Sequence, residues 1–570
     1  MGADPVDRPG SPVSSSGGAG PVRVGFLGGL GDIGRNCAFV EHGGRIVVLD
    51  VGIMFPDPEM PGIDLVLPDL SYLVERRDAV DAVVLTHGHE DHVGGLAYLL
   101  REISVPVYGS ALTLELARAR VEEAGVAGNA RFVEVSDGDR LAIGPFDVEL
   151  IPVAHSVPYG FATAIHTPQG VVLHTGDFKL DAAPVDGRLT DLGRIAEIAS
   201  SPGIRLLLSD STNADEPGFT DPETNVGATF RRLFAERAGR RIVVTCFASH
   251  LHRLQQAAEA AIETGRRVAT LGRSMRRNFE LASRLGVIDL PAGAFVDIEE
   301  IGGMAPGEVC VLSTGSQGEP LSALAQLAAG ENKRLKIVPG DVVILSSHPI
   351  PGNEWAIGKV MDGLVRRGAE VLHTGVEPVH VSGHACAGEL LSLLSIAKPE
   401  FFVPVHGQYR HLDAHARLAY RAGVPQGNVF VCEDGDSVVL DEFGMHRGDP
   451  LPAEYLYVDG TVDGVEHAVL RDRKVLAEEG VVIVVATVDA HAREVVTKPE
   501  IVTRGWVHSV EEEELAEEAS SAVLVALEDA LAKGVADHET LTRAARRALG
   551  KLVGERTRRR PMIVPVIVTV

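Results

Sequence analysis

Four side chains that can bind a metal ion lie within six residues in the stretch VVLTHGHEDHVGGL, residues 83–96: His87, His89, Asp91 and His92. A zinc ion is usually held by three or four protein ligands drawn from separate parts of a fold. So dense a cluster therefore predicts either two adjacent metal ions or ligands that are not all used. The mixture of imidazole nitrogen and carboxylate oxygen suits zinc or manganese and differs from the all-oxygen site that calcium prefers.

Further candidate ligands follow apolar runs that are typical of buried strands. His87 and His89 come directly after VVLT, His155 follows VELIPVA, Asp177 follows VVLHTG, and His406 follows FFVPV. A lone His at the end of a strand is more often a capped or solvated residue than a ligand. Because three further residues repeat the pattern in a chain that already holds HxHxDH, they are predicted to join the same site.

The surrounding patterns predict an α/β protein. Short β-rich runs open the chain from Val22, and apolar strands then alternate with helical patterns, which is typical of sheets covered by helices. A second α/β block begins near Asn225, and a third with two helices and a closing strand begins near Val465. The stretch GDPLPAEYLYVDG reads as a linker. The first residues are rich in Gly, Pro and Ser and read as a disordered tail.

Composition excludes several classes of protein. The longest apolar run, VVIVVATV, is far shorter than the roughly 20 residues that span a bilayer, so a soluble cytoplasmic protein without membrane contact is expected. The five cysteines form no CxxC pair, and we predict five buried thiols and no disulfide framework.

The net charge is −26, yet residues 225–384 carry 18 Lys and Arg against 16 Asp and Glu. One segment is therefore spared the acidic bias that would repel a nucleic acid.

A glycine-rich stretch, GGLGDIGRN at residues 28–36, contains the GxGxxG spacing of dinucleotide-binding turns. That fingerprint requires a helix to follow, because the pyrophosphate binds at the helix N-terminus. The next residues, NCAFVEHGGRIVVLD, are strand-like, so we do not predict a nucleotide site here.

HGHEDH resembles the HxHxDH signature of the metallo-β-lactamase superfamily, and Asp50 in VVLDVG, His155 and Asp177 fall where that superfamily keeps its other motifs. The resemblance implies an αββα sandwich with a two-metal hydrolytic site at one rim. It implies that His87, His89 and His155 hold one metal, that Asp91, His92 and His406 hold the other, and that Asp177 bridges them. Asp50 is implied to orient ligands from behind. Two Zn²⁺ ions are expected, with Mn²⁺ or Mg²⁺ as alternatives.

More than 200 residues separate Asp177 from His406, and this insertion resembles the β-CASP domain of nucleic-acid-processing members. Asp210, His384 and His406 fit motifs A, B and C of that group. The strings TCFASHLHRLQQ, LSTGSQGEPLSAL, HVSGHA and VPVHGQYRHL are similar to bacterial ribonuclease J. The implied protein is a 5′-to-3′ exoribonuclease with endonuclease activity that acts in mRNA decay and rRNA maturation. It would use a hydroxide activated by two metals, prefer a 5′-monophosphate, and form a homodimer or homotetramer.

The resemblance and the patterns together predict the domain organisation. It comprises a tail (1–20), a metallo-β-lactamase domain in two parts (21–224 and 385–447), an inserted β-CASP α/β domain (225–384), a linker (448–464) and a small C-terminal α/β domain (465–570).

Two segments are predicted to bind the substrate. In HVSGHA, glycine permits close backbone approach, and a hydroxyl with backbone amides can donate hydrogen bonds to phosphate. His384 is the candidate general acid for the leaving 3′ oxygen, and Asp91 and Asp210 are assigned with it to the catalytic group. The predicted substrate contacts are Ala248, Ser249, His250, His380, Val381, Ser382, Gly383 and His384.

Several alternatives stay open. Basic clusters at residues 240–241, 276–277 and 333–336, with Arg253 and Arg273, could line an RNA channel, although any such pair is more often a solvated surface. The run RTRRR near the C-terminus could contact RNA or merely flank the last strand. The competing functions are a β-CASP nuclease that acts on DNA, a 3′-end-processing endonuclease, and a catalytically silent scaffold of a complex of RNA-decay proteins.

Overall fold

The computed structural model describes residues 20–57, 59–350, 352–460, 462–506 and 512–570. The predicted disordered tail, apart from Gly20, lies outside these residues. The chain divides into two compact units. The larger comprises the residues up to Phe55 together with Val66–Tyr455, and the smaller comprises Pro56–Leu65 together with Leu456–Val570.

The first 22 strands precede residue 448. In chain order they are β1 (Val22–Gly28), β2 (Leu30–Gly31), β3 (Cys37–His42), β4 (Arg45–Leu49), β5 (Leu65–Leu67), β6 (Val80–Val84), β7 (Val105–Gly109), β8 (Ala130–Glu134), β9 (Arg140–Ile143), β10 (Phe146–Val153), β11 (Gly160–Thr167), β12 (Gly170–His174), β13 (Ile204–Asp210), β14 (Ile242–Thr245), β15 (Arg267–Leu271), β16 (Val309–Ser313), β17 (Val342–Leu345), β18 (Glu370–Leu372), β19 (Phe401–Val405), β20 (Gly407–Gln408), β21 (Ser437–Asp441) and β22 (Gly444–Arg447).

The described residues before residue 448 also form twelve α-helices. They are α1 (Ser71–Glu75), α2 (Glu90–Val93), α3 (Leu96–Glu102), α4 (Ala111–Glu123), α5 (Leu192–Ser200), α6 (Thr224–Glu236), α7 (Leu251–Glu263), α8 (Arg273–Arg284), α9 (Ala323–Ala329), α10 (Glu354–Arg366), α11 (Ala387–Ala397) and α12 (Tyr409–Arg421).

Two sheets face each other in the larger unit. One has the order β22-β21-β1-β3-β4-β6-β7-β8 and the other β19-β13-β12-β11-β10-β9. Apolar side chains of both inner faces, among them Phe26, Phe161 and Val403, form one core. Helices α3 and α4 cover the outer face of the first sheet, and α5, α11 and α12 cover that of the second. Strands buried on both faces read as continuous apolar runs, as FFVPV does in β19. The predicted αββα sandwich is confirmed.

The inserted block forms a five-stranded parallel sheet with the order β15-β16-β14-β17-β18. Helices α6, α7 and α8 pack on one face, and α9 and α10 on the other. The carboxyl ends of β14 and β17 are neighbours, because Thr245 pairs with Leu345. Parallel strands deliver the residues that follow them to one edge of the sheet, where open α/β sheets place their binding sites.

The smaller unit contains a three-stranded mixed sheet covered by two helices. Its elements are β23 (Leu456–Asp459), β24 (Val462–Val465), α13 (His467–Glu479), β25 (Val481–Asp489), β26 (Glu494–Arg504), α14 (Glu512–Ala532), α15 (His538–Thr557) and β27 (Met562–Thr569). The sheet order is β26-β25-β27, and alternate residues of β25 face the core beneath α14 and α15.

Three sequence expectations meet the structure directly. The GxGxxG stretch is followed by strand β3, as predicted, and not by a helix. All five cysteines are free, but Cys386 is only half-buried, so the expectation of five buried thiols is wrong at that residue, which precedes helix α11 at the surface. No helix in the described part of the chain is both long enough and apolar enough to cross a membrane.

Candidate metal centre

The candidate ligands converge because each follows a strand that ends at the same rim of the sandwich. His87 follows β6, His155 follows β10, Asp177 follows β12 and His406 follows β19. Strands β12, β13 and β19 are parallel neighbours, so their carboxyl ends meet at one edge. Helix α2 then turns His92 back toward the same point, where it is almost fully buried.

The first ligand group comprises His87, His89, His155 and Asp177, whose ligand atoms all lie within 4.8 Å of one another. Nε2 of His87 is 3.0 Å from Nδ1 of His89, and Nε2 of His155 is 3.2 Å from that same atom. Oδ2 of Asp177 lies 3.5 Å from Nε2 of His87. Three nitrogens and one carboxylate oxygen in this arrangement match the donor set of a zinc site.

The second ligand group comprises Asp91, His92, Asp177 and His406. Nε2 of His92 is 3.2 Å from Oδ2 of Asp177, and Nε2 of His406 is 3.3 Å from Oδ2 of Asp91. Both carboxylate oxygens of Asp177 are buried without a hydrogen-bond donor among the described residues. A buried carboxylate without donors is costly. Two cations beside Asp177 would satisfy it, so these residues fit a pair of divalent metals.

Protein groups behind the ligands fix the orientation of the imidazole rings. Nδ1 of His92 is 2.7 Å from the carboxylate of Asp50, and Nδ1 of His155 is 2.7 Å from the carbonyl oxygen of Gly383. Nδ1 of His406 is 2.6 Å from the hydroxyl of Thr212. Such partners hold the Nε2 lone pair toward the metal and raise the basicity of the ligand.

Asp50 lies behind the metal centre, in contact with Nδ1 of His92. The role expected for it is to orient the ligands. Its two carboxylate oxygens accept hydrogen bonds from the amide and the hydroxyl of Thr86, each at 2.7 Å. Asp50 and His406 both have positive φ, +59° and +56°. Non-glycine residues rarely adopt this conformation, and such strain is concentrated at functional sites.

The charges of the two ligand groups differ. Burial lowers the pKa of His87 and of His155 well below the usual range, and it lowers the pKa of His89 to about 4. Burial opposes the charge of His92 as well, but the carboxylates of Asp177, Asp91 and Asp50 outweigh it and raise its pKa to about 10. The histidines of the first group are therefore held in the neutral form that a metal binds. In the second group, nearby carboxylates favour the charged form of His92.

A loop of five residues, His380–His384, lies against the metal centre, and we call it the 380–384 loop. The hydroxyl oxygen of Ser382 accepts hydrogen bonds from the side chain of Asn213 at 2.8 Å and from the amide of His384 at 3.1 Å. Its own proton is thus available to a ligand. Gly383 has no room for a side chain, because a Cβ there would lie 2.8 Å from Cε1 of His155.

His384 and His406 share one carboxylate. Nδ1 of His384 is 2.8 Å from Oδ2 of Asp210, and Nδ1 of His406 is 3.4 Å from Oδ1 of the same residue. Burial opposes the charge of His384, but Asp210 and Asp177 outweigh it and raise its pKa above the usual value. An imidazole whose pKa is raised by a carboxylate can supply a proton to a leaving group.

The segment after β14 is less open than the sequence suggests. Ala248 and Ser249 are half-buried, whereas His250 is only 2% exposed. Arg253 is fully buried, so the prediction that it lines an RNA channel is wrong. Its charge is used inside the domain, where its guanidinium pairs with Glu223. Arg240 and Arg241 likewise pair with Glu370 and Asp341.

Sequence reasoning missed two polar residues, Asn36 behind the second ligand group and Glu389 beside the segment that follows Asp177. The side-chain amide of Asn36 donates to the carbonyl oxygen of Asp91 at 3.0 Å and lies 3.1 Å from Nε2 of His92. The buried carboxylate of Glu389 accepts three amide hydrogen bonds, from Leu180, Thr220 and Cys386. Asn36 is the last residue of the glycine-rich stretch at residues 28–36, so that stretch is the sequence feature nearest to this support of the metal centre. Glu389 left no local signal.

Comparison with known families assigns each part of the chain. Residues 30–219 match the metallo-β-lactamase superfamily, and residues 239–364 match the β-CASP domain of ribonuclease J. Residues 369–431 match the RNA specificity domain of Zn-dependent metallo-hydrolases, and residues 468–570 match the ribonuclease J C-terminal domain.

Curated relatives resemble the chain over nearly its whole length. It is 40% identical over 549 residues to ribonuclease J 1 of Streptococcus pyogenes, which covers 96% of this chain and 98% of the relative. It is 40% identical over 566 residues to ribonuclease J of Mycobacterium tuberculosis, covering 99% and 100%. It is 38% identical over 551 residues to ribonuclease J2 of Bacillus subtilis, covering 96% and 99%.

Solved structures share the fold, and one of them serves as an example. It is a protein of unknown function from Enterococcus faecalis, with a TM-score of 0.53 and 16% sequence identity, and the match covers 74% of this chain and all of that one.

Proposed function

The chain belongs to the ribonuclease J family, and from this premise we propose that it hydrolyses the phosphodiester bonds of RNA. We propose that it removes nucleotides in the 5′-to-3′ direction from ends that carry a 5′-monophosphate and also cuts internally. The expected cellular roles are mRNA decay and the maturation of rRNA, in the cytoplasm.

One observation carries the proposal. The carbonyl oxygen of Gly383 lies 2.7 Å from Nδ1 of His155, so the 380–384 loop meets the first ligand group directly. A loop with a free hydroxyl, backbone amides and two imidazoles suits phosphate. Two groups of metal ligands that share one carboxylate suit the hydrolysis of a phosphodiester. Their contact favours a substrate that offers one phosphate to be held and another to be cut.

The ligand assignments are part of the proposal. We propose that His87, His89 and His155 hold one metal, that Asp91, His92 and His406 hold the other, and that Asp177 joins both. When bound, two adjacent divalent cations lower the pKa of a water molecule and neutralise charge that builds on a phosphoryl oxygen. Zinc fits the imidazole-rich donor set, and manganese or magnesium remain alternative ions.

The chain's own groups supply the remaining steps. His384, whose Nδ1 contacts the carboxylate of Asp210, donates a proton to the leaving 3′ oxygen. The hydroxyl of Ser382 donates a hydrogen bond to a substrate phosphate, and the backbone of Val381 and Gly383 contacts the same group. His380 contributes a further donor, and Ala248, Ser249 and His250 are assigned to a second contact. Asp50 keeps His92 oriented through Nδ1.

The proposal extends to the assembly of the protein. A homodimer or homotetramer is expected, with single-stranded RNA as the main ligand and other RNA-decay proteins as partners.

A time course on matched RNAs tests substrate, polarity and end preference together. RNA labelled at its 3′ end and carrying a 5′-monophosphate is compared with the same RNA carrying a 5′-triphosphate, and with DNA of the same sequence. Successive shortening from the 5′ end, fastest for the monophosphate, supports the proposal. Release of nucleotides from DNA alone would replace it with a DNA-directed nuclease, and inertness toward all three with a silent scaffold.

A further inference from the structure

A buried ion pair lies directly beneath the 380–384 loop. Nε and Nη2 of Arg253 donate to the two carboxylate oxygens of Glu223 at 2.6 and 2.8 Å. The exposed fractions of the two side chains are 0% and 6%. Burying two charges is costly unless their geometry is good and their remaining hydrogen-bonding groups are satisfied. The guanidinium meets this condition because its third nitrogen, Nη1, donates to acceptors on other residues.

Nη1 of Arg253 points toward His380. It lies 2.7 Å from the hydroxyl of Ser346, 3.3 Å from the carbonyl oxygen of Val379 and 3.1 Å from Nδ1 of His380. A guanidinium has donors and no acceptor, and it stays protonated in proteins. The carbonyl oxygen of Ser346, at 3.1 Å, is a fourth acceptor for the two protons of Nη1. In the contact with His380, Nδ1 is the acceptor, and this places the ring proton on Nε2.

The surroundings of His380 favour a neutral ring. The titratable and charged groups that face it are Arg253, His250, Glu223 and His348. Burial and the charge of Arg253 hold the pKa of His380 well below its usual range. His384, at the other end of the loop, has the opposite partner, because its Nδ1 faces the carboxylate of Asp210. One loop thus holds two imidazoles with opposite partners, a guanidinium at Nδ1 of His380 and a carboxylate at Nδ1 of His384.

The ion pair also connects the loop to the metal centre. The amide of Glu223 donates to Oδ2 of Asp181 at 2.9 Å, and that oxygen is 3.0 Å from Nζ of Lys179. Lys179 follows Asp177 by two residues. A continuous set of buried polar contacts therefore runs from the segment after Asp177, through Glu223 and Arg253, to His380. Such a network holds two parts of a site at a fixed separation.

We propose that Arg253 is a positioning residue that keeps His380 as a neutral Nε2–H donor toward the 5′-terminal phosphate of RNA, with Glu223 holding the guanidinium in place. The proposal rests on the proposed function, because it takes a terminal phosphate as the ligand of the 380–384 loop. Arg253 does not touch the RNA. It acts through the ring orientation and proton position of His380.

Binding without cleavage gives the first test. Metal-stripped protein in EDTA is titrated with a fluorescent ten-nucleotide RNA bearing either a 5′-monophosphate or a 5′-hydroxyl, and the ratio of the two dissociation constants is measured from pH 6 to 8. Loss of a hydrogen bond to a charged group corresponds to a change of about tenfold or more. Arg253→Met is expected to reduce the wild-type ratio by about that factor. Arg253→Lys is expected to restore part of it, because one ammonium cannot reach both Glu223 and His380.

The pH dependence separates positioning from general stability. In Arg253→Met, His380 loses its cationic neighbour and gains a proton at a higher pH than in the wild type, so lowering the pH raises the ratio more for the variant than for the wild type. Titration of the RNA phosphate is common to both proteins and cancels when they are compared. Arg231→Met is the matched control, since Arg231 forms exposed ion pairs with Glu259 and Glu263 in the same domain. It is expected to leave the ratio unchanged.

Two further measurements cover misfolding. Glu223→Gln/Arg253→Met removes both charges, so no unpaired buried carboxylate remains, and its secondary structure is checked by circular dichroism. Histidine-labelled wild-type protein, with His380→Gln for assignment, reports by NMR which ring nitrogen of His380 carries the proton. A proton on Nδ1, or a folded double variant with the full wild-type ratio, overturns the proposal. If the proton is on Nε2 but wild-type protein neither binds nor cuts RNA, the proposed function fails and the assignment of the ring proton stands.

Discussion

The carbonyl oxygen of Gly383 accepts a hydrogen bond from Nδ1 of His155 at 2.7 Å. The two residues are 228 positions apart, one on the loop that follows the inserted sheet and the other at the end of β10. The bond fixes the tautomer of His155, since Nδ1 must carry the proton and Nε2 must face the ligand group. The 380–384 loop, which carries the proposed substrate contacts, therefore also contacts the first ligand group.

Gly383→Ala is expected to disturb the first ligand group. A Cβ at this position would lie 2.8 Å from Cε1 of His155, 3.0 Å from its Nδ1 and 2.9 Å from Oγ of Ser156. The ring must move, and misplacement of a catalytic group by about 1 Å costs about 100-fold in rate. We expect kcat on 5′-monophosphorylated RNA to fall by about that factor and the retained metal to fall below the wild-type amount, as measured by mass spectrometry after dialysis.

Gly427→Ala is the matched control, because a Cβ at Gly427 meets no atom within 4 Å. It is expected to match the wild type in both measurements. Unchanged metal content and rate in Gly383→Ala would show that the contact between the loop and His155 has no part in the site.

Much of the site could be predicted because the informative residues are neighbours in sequence or follow apolar strands. His87, His89, Asp91 and His92 come from one turn and a short helix, so no tertiary information is needed to place them together. Asp177 and His406 follow strands that are parallel neighbours of β13, and parallel order brings such ends to one edge. The αββα sandwich follows from the same alternation of strands and helices.

The parts that could not be predicted depend on how buried charges pair across the fold. Arg253 lies on α7, and this helix buries residues almost all around, including His252 and Gln256. A polar residue on such a helix has no periodic signal to mark it as internal. Its partner Glu223 is 30 residues away, and only the packed structure shows that the two meet. Asn36 lies in a stretch whose GxGxxG spacing is typical of a nucleotide-binding turn, and that spacing does not indicate its contact with Asp91.

His384→Gln is expected to show the role of a proton donor. His384 lies beside Asp210 and near the metal centre, and general acid catalysis contributes about 100- to 10,000-fold. We expect a loss in that range on ordinary RNA. RNA with sulfur in place of the bridging 3′ oxygen has a leaving group that needs no protonation, so most of the loss should disappear there. Ser382→Ala, which removes only a donor to phosphate, should lower both rates equally. An equal loss for His384→Gln on both substrates would exclude the acid role.

Asp177→Ala is expected to abolish binding of both metals. Asp177 belongs to both ligand groups, and among the described residues no hydrogen-bond donor reaches its carboxylate. His87 belongs to the first group alone, so His87→Ala should retain one metal per chain. Metal content after dialysis against chelator-free buffer, measured on variants with wild-type circular dichroism, checks both expectations. Two metals retained by Asp177→Ala, or unchanged metal content and RNA cleavage in His87→Ala, would contradict the ligand assignment.

A histidine behind the site is expected to make the fold sensitive to acid. His415 is fully buried, its Nδ1 is 3.0 Å from the hydroxyl of Ser211, and its Nε2 has no hydrogen-bond partner among the described residues. Burial lowers the pKa of His415 from 6.5 to about 3. Its contribution to stability is therefore present above pH 6.5 and is lost as pH falls toward 3, because the unfolded chain binds a proton that the folded chain excludes.

The expected size of this effect is about 1.4 kcal/mol between pH 7.5 and 5.5, since one pKa unit corresponds to about that free energy. His415→Gln removes the titrating group, so acidification over this range should lower its free energy of unfolding by about 1.4 kcal/mol less than that of the wild type. His446→Gln is the control, because the side chain of His446 is 58% exposed. Urea unfolding followed by intrinsic fluorescence at the two pH values measures the difference. Equal losses in the wild type and His415→Gln would mean that the folded protein already accommodates a charged imidazole at this position.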